Sequence, residues 1–127
     1  MVAGGGSMRN HQYNRPITIE KYSGGTDAAY NQEDRTRDDN WDAYWSGFCR
    51  EVSRGTNEFF RTARLDSRID RVFKVRWNPQ INDITSQDYR VQFEGKTHYL
   101  TGAPEDEQAD DRELSIACTH WQEVAHG

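Results

Sequence analysis

Histidine and cysteine are the residue types in this chain that most readily bind a metal. Cys118 and His120 stand two residues apart, which places both side chains on one face of an extended strand. A zinc site needs about four ligands, and the remaining histidines, His11, His98 and His126, lack the HxH or HxxxH spacing that would supply them. The pattern therefore favours core or surface histidines, and we expect no bound metal.

Acidic runs raise the question of cation binding or acid–base catalysis. Residues 105–111 lack the ligand order and the glycine of an EF-hand loop, so a solvated loop is favoured. The pairs Glu33–Asp34 and Asp38–Asp39 have no apolar neighbours that would shift a pKa. The chain also contains no GxSxG, P-loop or GxGxxG motif. We therefore predict a protein that is not an enzyme and has no cofactor.

Aromatic and basic residues are interleaved between positions 59 and 77, and two interpretations stay open. The row could line a nucleic-acid groove, because aromatic rings stack on bases while cations bind phosphates. Strand alternation alone would also produce it, with a core-facing aromatic row and a solvated basic row opposite, and we favour that reading. The row consists of Phe59, Phe60, Arg61, Arg64, Arg68, Arg71, Phe73, Lys74, Arg76 and Trp77.

The elements that would position these residues are mostly strands. A helix is predicted from Thr56 or Asn57, either of which can cap its N-terminus, to near Asp66. Five or six short antiparallel strands with one helix predict a mainly β fold, a small antiparallel β-barrel or sandwich. The alternating runs lie at 17–22, 41–52, 69–77 and 112–121, with a β-hairpin at 89–93 and 97–100 and a loop at 78–88.

The composition is that of one folded domain that carries long polar segments. A chain of 127 residues makes one domain. Its mean hydropathy is −1.06, but four Trp, six Tyr and five Phe argue against disorder. Cys49 and Cys118 are expected to be small buried hydrophobes. The predicted core consists of Ile17, Ile19, Trp45, Phe73, Val75, Val91, Phe93, Tyr99, Leu114 and Ile116.

Polar segments flank and interrupt this domain. Residues 1–14 predict a flexible N-terminal arm, residues 15–123 a single domain and residues 124–127 a tail. Met8 is a second candidate for the start, in which case residues 1–7 are an upstream extension. No stretch approaches the ~20 apolar residues of a membrane helix, so we expect a protein made in a cytoplasm, without a membrane partner. Residues 26–39 are too long and polar for a plain connection, and predict a functional or mobile loop.

The charge of the chain is unevenly distributed. The formal net charge of −5 argues against wholesale binding to a nucleic-acid backbone. Residues 50–76 hold eight basic residues against four acids, whereas residues 101–127 hold seven acids against one arginine. Such a chain can be complementary to copies of itself, although ordinary solvated loops and strand faces would give the same pattern.

Taken in order, these segments resemble the phage head–tail adaptor family, also called head-closure or stopper proteins. The resemblance covers roughly residues 15–123, and its order and spacing are more specific than any single piece. Its long leader and its polar 26–39 loop depart from the family pattern, in regions where the family varies. The matching pieces are RPITI at 15–19, WDAYW at 41–45, GTNEFF at 55–60, RVFKVRW at 71–77, RVQFEGKTHY at 90–99 and RELSIAC at 112–118.

The resemblance implies a small β-barrel that assembles as a ring of identical subunits in the neck of a tailed phage or a phage-like gene-transfer particle. Its partners would be a portal-bound adaptor above, a tail terminator or tail tube protein below, and packaged DNA that passes without sequence-specific binding. The ring copy number, six or twelve, stays open. The alternative function is a small β-barrel nucleic-acid-binding protein that uses the 59–77 row.

Two groups of contact residues follow from this resemblance and from the polar loop. The loop would act on the channel or on a neighbouring ring, and oppositely charged segments would meet between adjacent subunits. The loop residues are Thr26, Asp27, Tyr30, Asn31, Asp34, Arg35 and Arg37, and the expected inter-subunit charge contacts are Arg61, Arg64, Asp110 and Asp111.

Overall fold

The computed structural model of the protein describes residues 13–24, 26–27, 32–33, 38–63, 68–107 and 109–120. The strands are β1 (Arg15–Tyr22), β2 (Thr26–Asp27), β3 (Gln32–Glu33), β4 (Trp41–Val52), β5 (Arg71–Arg76), β6 (Tyr89–Phe93), β7 (Lys96–Leu100) and β8 (Glu113–Thr119). The helices are α1 (Asn57–Ala63) and α2 (Pro79–Asn82), and a 3-10 turn, Asp38–Asn40, precedes β4. The predicted arm up to residue 12, the helix end near Asp66 and the tail at 124–127 lie outside the described residues.

Six of the strands form one antiparallel sheet that closes on itself. The order of pairing is β1–β4–β5–β8–β7–β6, and β6 pairs back with β1. A register shift between Ile19 and Glu20 marks a bulge where β1 runs along β4. Such bulges bend a strand and increase its twist, which a closing sheet requires. The prediction of a mainly β fold, a small antiparallel β-barrel or sandwich, is confirmed.

The interior of the barrel is apolar, and most of the predicted core residues are there. Ile19, Phe73 and Leu114 are completely buried, whereas the predicted core residue Trp45 is half-buried and packs against the core from its edge. The other exception is Tyr99, which is also half-buried. Cys49 and Cys118 are buried free thiols, as predicted. Burial also raises the pKa of Cys49 to about 12.

Helix α1 covers part of the outer face of the sheet. Its N-terminus is capped by Thr56, whose Oγ1 accepts a hydrogen bond from the amide of Phe59 at 3.2 Å. Phe59 then packs on Val52 of β4 and Val72 of β5 to form a second, smaller apolar cluster. The outward side chains of β4 and β5 are therefore partly buried, which strand alternation alone does not predict.

Two segments that the sequence assigned to loops contain short regular elements. Helix α2 lies in the predicted 78–88 loop, where Asn78 accepts from the amide of Gln80 at 2.8 Å and Pro79 starts the helix. This helix places Ile81 in the core. Within the predicted 26–39 loop, β2 pairs antiparallel with β3. We call the segment 26–33 the arm hairpin; the structure describes its two paired strands, and residues 28–31 lie outside the described residues.

Candidate assembly surface

The base of the arm hairpin is fixed to the barrel by a buried arginine. Arg90 of β6 is only 2% exposed, and its Nε donates to Glu20 Oε1 at 2.6 Å. Its Nη2 donates to Asp38 Oδ1 at 3.1 Å, and its guanidinium carbon lies 4.5 Å from the ring centre of Trp41. Burial lowers the pKa of Arg90, but the hydrogen bonds to the two carboxylates outweigh burial, so the pKa is raised.

Backbone hydrogen bonds hold both ends of this hairpin at the barrel. The amide of Tyr22 donates to the carbonyl of Asp88 at 2.8 Å, and the amide of Ser23 donates to the carbonyl of Asn40 at 2.9 Å. The rings of Tyr22 and Trp41 meet edge to face, with centres 5.3 Å apart. The chain therefore leaves β1 and enters β4 at neighbouring points that are held in place.

The residues predicted to act on the channel fall on this hairpin and on the segments around it. Thr26 and Asp27 form β2. The others, Tyr30, Asn31, Asp34, Arg35 and Arg37, lie outside the described residues. The structure thus gives the hairpin an anchored base, and the role of its residues stays a prediction.

A second polar feature lies on the outer face of the barrel, where β4, β5 and β8 are covered by α1 and by the connection between β7 and β8. Lys74 of β5 is only 4% exposed. Its Nζ lies 3.0 Å from a carboxylate oxygen of Glu58, 3.1 Å from one of Glu107 and 3.9 Å from one of Glu113. The expectation of a solvated basic row is therefore wrong at Lys74, because the elements above it exclude water and supply acids.

Arg50 of β4 completes this group, which we call the charge cluster (Arg50, Glu58, Lys74, Glu107 and Glu113). Arg50 Nη1 donates to Glu58 Oε1 at 2.9 Å, and its Nε donates to Glu113 Oε2 at 3.0 Å. The hydrogen bonds from Arg50 lower the pKa of Glu58 to about 2. The side chains of the three glutamates are 14% to 32% exposed, so solvent screens their ion pairs with Arg50 and Lys74 only in part.

Tyr13, just before β1, extends this cluster. Its hydroxyl donates to Glu113 Oε2 at 2.7 Å, and its ring lies 5.1 Å from the guanidinium carbon of Arg76. Burial and the bond to Glu113 raise the pKa of Tyr13 to about 12. A cleft of about 200 Å³ is lined by Tyr13, Arg50 and Asp110, among others.

The predicted inter-subunit charge contacts lie at the edge of this region. Arg61 on α1 is exposed, and Arg64 lies outside the described residues. Asp110 has a carboxylate oxygen 3.6 Å from the exposed Arg112, and the amide of Asp111 donates to Asp106 Oδ2 at 2.9 Å. Pairing between subunits stays a prediction. Within one chain, however, the basic and acidic segments already meet in the charge cluster.

The alternative nucleic-acid surface is not favoured by this geometry. Of the interleaved row, Phe59 and Phe73 are buried, Lys74 is surrounded by carboxylates, and Arg71 is paired with Glu51. Phe60 on α1 is 57% exposed, but Arg71 and Lys74 on the nearby strand β5 are paired with acids. A groove that binds a phosphate backbone needs free cations along a continuous line, and the described part of the row does not provide one.

Metal and membrane chemistry have no support in the described residues. His98 is buried edge-on against Phe73, and His120 pairs with Asp70. No group of three or more His, Cys, Asp or Glu side chains within the described ranges could hold a metal ion. In the same part of the chain, no helix is long and apolar enough to cross a membrane.

Sequence reasoning missed Arg90, Arg50 and Lys74 as anchoring residues. The available signal was weak: Lys74 and Arg90 are cations inside strands between apolar or aromatic residues, as in Tyr89–Arg90–Val91, whereas Arg50 stands between Cys49 and Glu51. Their acidic partners come from distant parts of the chain, so no local pattern could have paired them.

Comparisons with known proteins agree with this architecture. A solution structure of protein SF1141 from Shigella flexneri 2a is similar with a TM-score of 0.59 and 16% sequence identity. The similarity covers 89% of this chain and 96% of that chain, and at this identity it supports the fold alone. A search of curated proteins gave no significant match. The model of the phage head completion protein family matches residues 8–120, nearly the whole chain, so the protein belongs to the phage head completion protein family.

Proposed function

We propose that this member of the phage head completion family is the head-closure subunit of the neck, where it forms a homo-oligomeric ring. The ring lies below the portal and its adaptor, retains packaged DNA and docks the tail. The family itself implies a structural role in completing phage heads, and hence a component of the virion. The ring, the DNA retention and the tail docking are the further steps that we infer.

The observation that carries the proposal is the arm hairpin on its anchored base. A loop that acts on a channel must be held firmly where it leaves the subunit, because otherwise its tip has no defined position. Arg90 and its contacts with Glu20, Asp38 and Trp41 supply such an anchor. These contacts lie at the barrel, where the chain leaves β1 and enters β4.

The charge of the chain fits a channel through which DNA must pass. The net charge of −5 repels a phosphate backbone, and Lys74 and Arg50 are neutralised by carboxylates within the same chain. A subunit with this charge also repels other free copies, which favours a monomer until a portal complex gathers the subunits. Sedimentation of the isolated protein should therefore show a monomer, and a stable isolated ring would contradict templated assembly.

The hairpin is tested by a deletion, together with a control variant that keeps the wild-type length. Residues 26–33 are replaced by a short Gly-Ser linker, while Asp38 and Asn40 are kept so that the anchor remains. We expect a folded subunit whose particles leak DNA or lack tails. The control replaces residues 28–31 with the same number of Gly and Ser residues, which separates the effect of length from that of side chains. A wild-type titre for the deletion would refute a role of the hairpin in closure.

The location is tested independently. Electron microscopy of particles, with mass spectrometry of separated heads and tails, should place the protein in the neck. Presence only in a soluble pool would refute the proposal. A charge reversal at Arg61 and Arg64 should lower the particle yield, and a compensating reversal at Asp110 and Asp111 should restore part of it. If the compensation restores nothing, the charge pairing between subunits is wrong even where the ring is right.

A further inference from the structure

The seam between β7 and β8 is short, and most of it is closed by a connection rather than by a strand. Only Tyr99–Thr119 and Leu100–Cys118 pair across this seam. The rest of that edge of β8 is covered by the connection between β7 and β8 (residues 101–112, described at 101–107 and 109–112), which we call the strap. The amide of Thr101 donates to the carbonyl of Ala117 at 2.9 Å.

A two-way backbone bridge then joins the middle of the strap to β8. The amide of Glu105 donates to the carbonyl of Ser115 at 3.0 Å, and the amide of Ser115 donates back at 2.8 Å. The strap thus occupies a strand edge that would otherwise present unpaired backbone groups, and such edges readily pair with another chain.

One acidic side chain clamps the strap to the outer face of the barrel. Glu107 Oε1 lies 3.1 Å from Lys74 Nζ, and Thr62 Oγ1 on α1 donates to Glu107 Oε2 at 2.6 Å. Burial raises the pKa of Glu107, but the hydrogen bonds from Thr62 and Lys74 outweigh burial and leave it lowered. The clamp is therefore ionic and lies at the surface of the barrel, outside its apolar core.

The strap is uncrowded at its start and has a disfavoured backbone conformation at its far end. At its start, a side chain added at Gly102 would contact nothing within 4 Å. At its far end, Ala109 and Asp111 have φ angles of 55° and 58°, a region that is disfavoured for residues with a side chain. The closed strap therefore holds an unfavourable backbone conformation that release would relax.

We propose that neighbouring subunits exchange straps when the ring forms, so that each strap leaves its own β8 edge and binds the same edge of the next copy. This inference rests on the proposed ring. The occupant follows from charge, because the buried Lys74 needs an acidic partner and the strap supplies one in Glu107. A second copy's strap supplies the same backbone bridge and the same clamp, so exchange conserves these contacts, as in domain swapping.

Exchange is compatible with the length of the strap and with assembly on a template. With half of its residues running outward and half returning, a tethered strap reaches ~20 Å. In the free subunit the strap covers its own edge, which prevents unwanted pairing. The edge becomes available only where another copy is held close enough to replace the strap.

The test locks the strap onto its own subunit. Glu105 and Ser115 form a directly opposed antiparallel pair, for which a Cα–Cα separation of about 5.5 Å suits a disulfide. The double variant Glu105→Cys/Ser115→Cys leaves the charge cluster intact, and Cys49 and Cys118 are buried. Oxidised double variant should enter necks at least tenfold less than reduced double variant, and each single variant should assemble under both conditions. Equal entry of oxidised and reduced protein would overturn the exchange.

A second measurement does not depend on the folding of the double variant. Particles are assembled from a mixture of Glu105→Cys protein and Ser115→Cys protein and are then oxidised. Cross-linked dimers should form in the particles and be absent from the unassembled mixture, and their absence from particles would refute the exchange. These results are distinct from failure of the proposed function: a locked subunit that still occupies the neck refutes only the exchange, whereas absence of wild-type protein from the neck refutes the ring.

Discussion

Replacing Arg90 with methionine would test whether one buried cation holds the arm hairpin in place. The substitution keeps a long unbranched side chain in a site where Arg90 is 2% exposed, and it removes only the guanidinium group. Glu20, whose side chain is 19% exposed, would keep the hydrogen bond from Gln92 Nε2 at 3.1 Å and lose the shorter one from Arg90. A carboxylate that is largely buried would then lack its cation.

The size of the effect follows from the three contacts that are lost. The bond to Glu20 is charge-assisted and partly buried, which makes it worth ~1.5–3 kcal/mol. The pair with Asp38 contributes ~0–1 kcal/mol, since that side chain is 89% exposed. Stacking on Trp41 adds ~0.5–2 kcal/mol. The guanidinium no longer has to be desolvated in the variant, which offsets part of the sum, so we expect a loss of about 2–4 kcal/mol in the free energy of unfolding.

Urea titration and amide exchange measure the global and the local effect. A double-mutant cycle with Glu20→Gln should give a coupling energy of ~1–2 kcal/mol. The amide of Ser23, bonded to the carbonyl of Asn40, should exchange faster in Arg90→Met than in wild type under conditions where global unfolding is rare. The matched control is Arg112→Met, because that arginine has a side chain 85% exposed, and we expect a change within ~0.5 kcal/mol.

A loss below about 0.5 kcal/mol for Arg90→Met, with unchanged exchange at Ser23, would refute the reasoning. It would mean that the backbone bonds from Tyr22 and Ser23 hold the hairpin base by themselves. A large loss of stability without faster exchange at Ser23 would show that Arg90 supports the barrel and not the hairpin.

Three further predictions concern the barrel. Phe73 is fully buried, and its ring centre lies 4.8 Å from that of Phe93. Phe73→Ala should lower the free energy of unfolding by ~3–5 kcal/mol in urea titration, and a loss below ~1 kcal/mol would contradict its place in the core. Gly47→Ala would put a Cβ about 2.5 Å from the ring of Trp45 and should cost ~1–3 kcal/mol, whereas unchanged stability would show that the ring moves freely. Burial lowers the pKa of His98, so the unfolded chain binds the proton of this histidine more tightly than the folded chain, and stability is lost as the pH falls below about 6.5. His98→Leu should reduce this dependence of the free energy of unfolding on pH. An unaltered dependence would exclude His98 as its source.

The strands of the barrel could be predicted because their signals are local. Alternation over 41–52 and 71–76 fixes which side chains face inward, and closure of the sheet then buries them together. The turn at Glu94 and Gly95 has φ angles of 52° and 77°, the pair of positive values that a two-residue hairpin loop requires. A glycine between two alternating runs is a sufficient signal for that turn.

The second helix and the arm hairpin could not be predicted because each is too short to show a period. Helix α2 has four residues and depends on the cap from Asn78 and on the burial of Ile81. The arm hairpin has two pairs of residues, in a segment without apolar alternation. Helix α2 depends on the contact of Ile81 with the core, which a window of sequence does not contain.

The charge cluster shows that a charge pattern can predict which segments attract each other, but not whether they meet within one chain or between two subunits. The sequence predicts that the basic residues around 50–76 attract the acidic residues around 105–113, and it assigns the two segments to different subunits. In the structure the same attraction operates within one chain, where Glu107 and Glu113 lie within 4 Å of Lys74. A carboxylate that already pairs with a cation of its own chain gains little by also pairing with a cation of a neighbouring subunit. In the proposed ring, charge pairing between subunits would use exposed side chains such as Arg61 and Asp110, or replace the internal pairs by equivalent ones. The proposed strap exchange is the second solution, because it would transfer the Lys74–Glu107 pair to a neighbour without leaving the buried Lys74 unpaired at the end state.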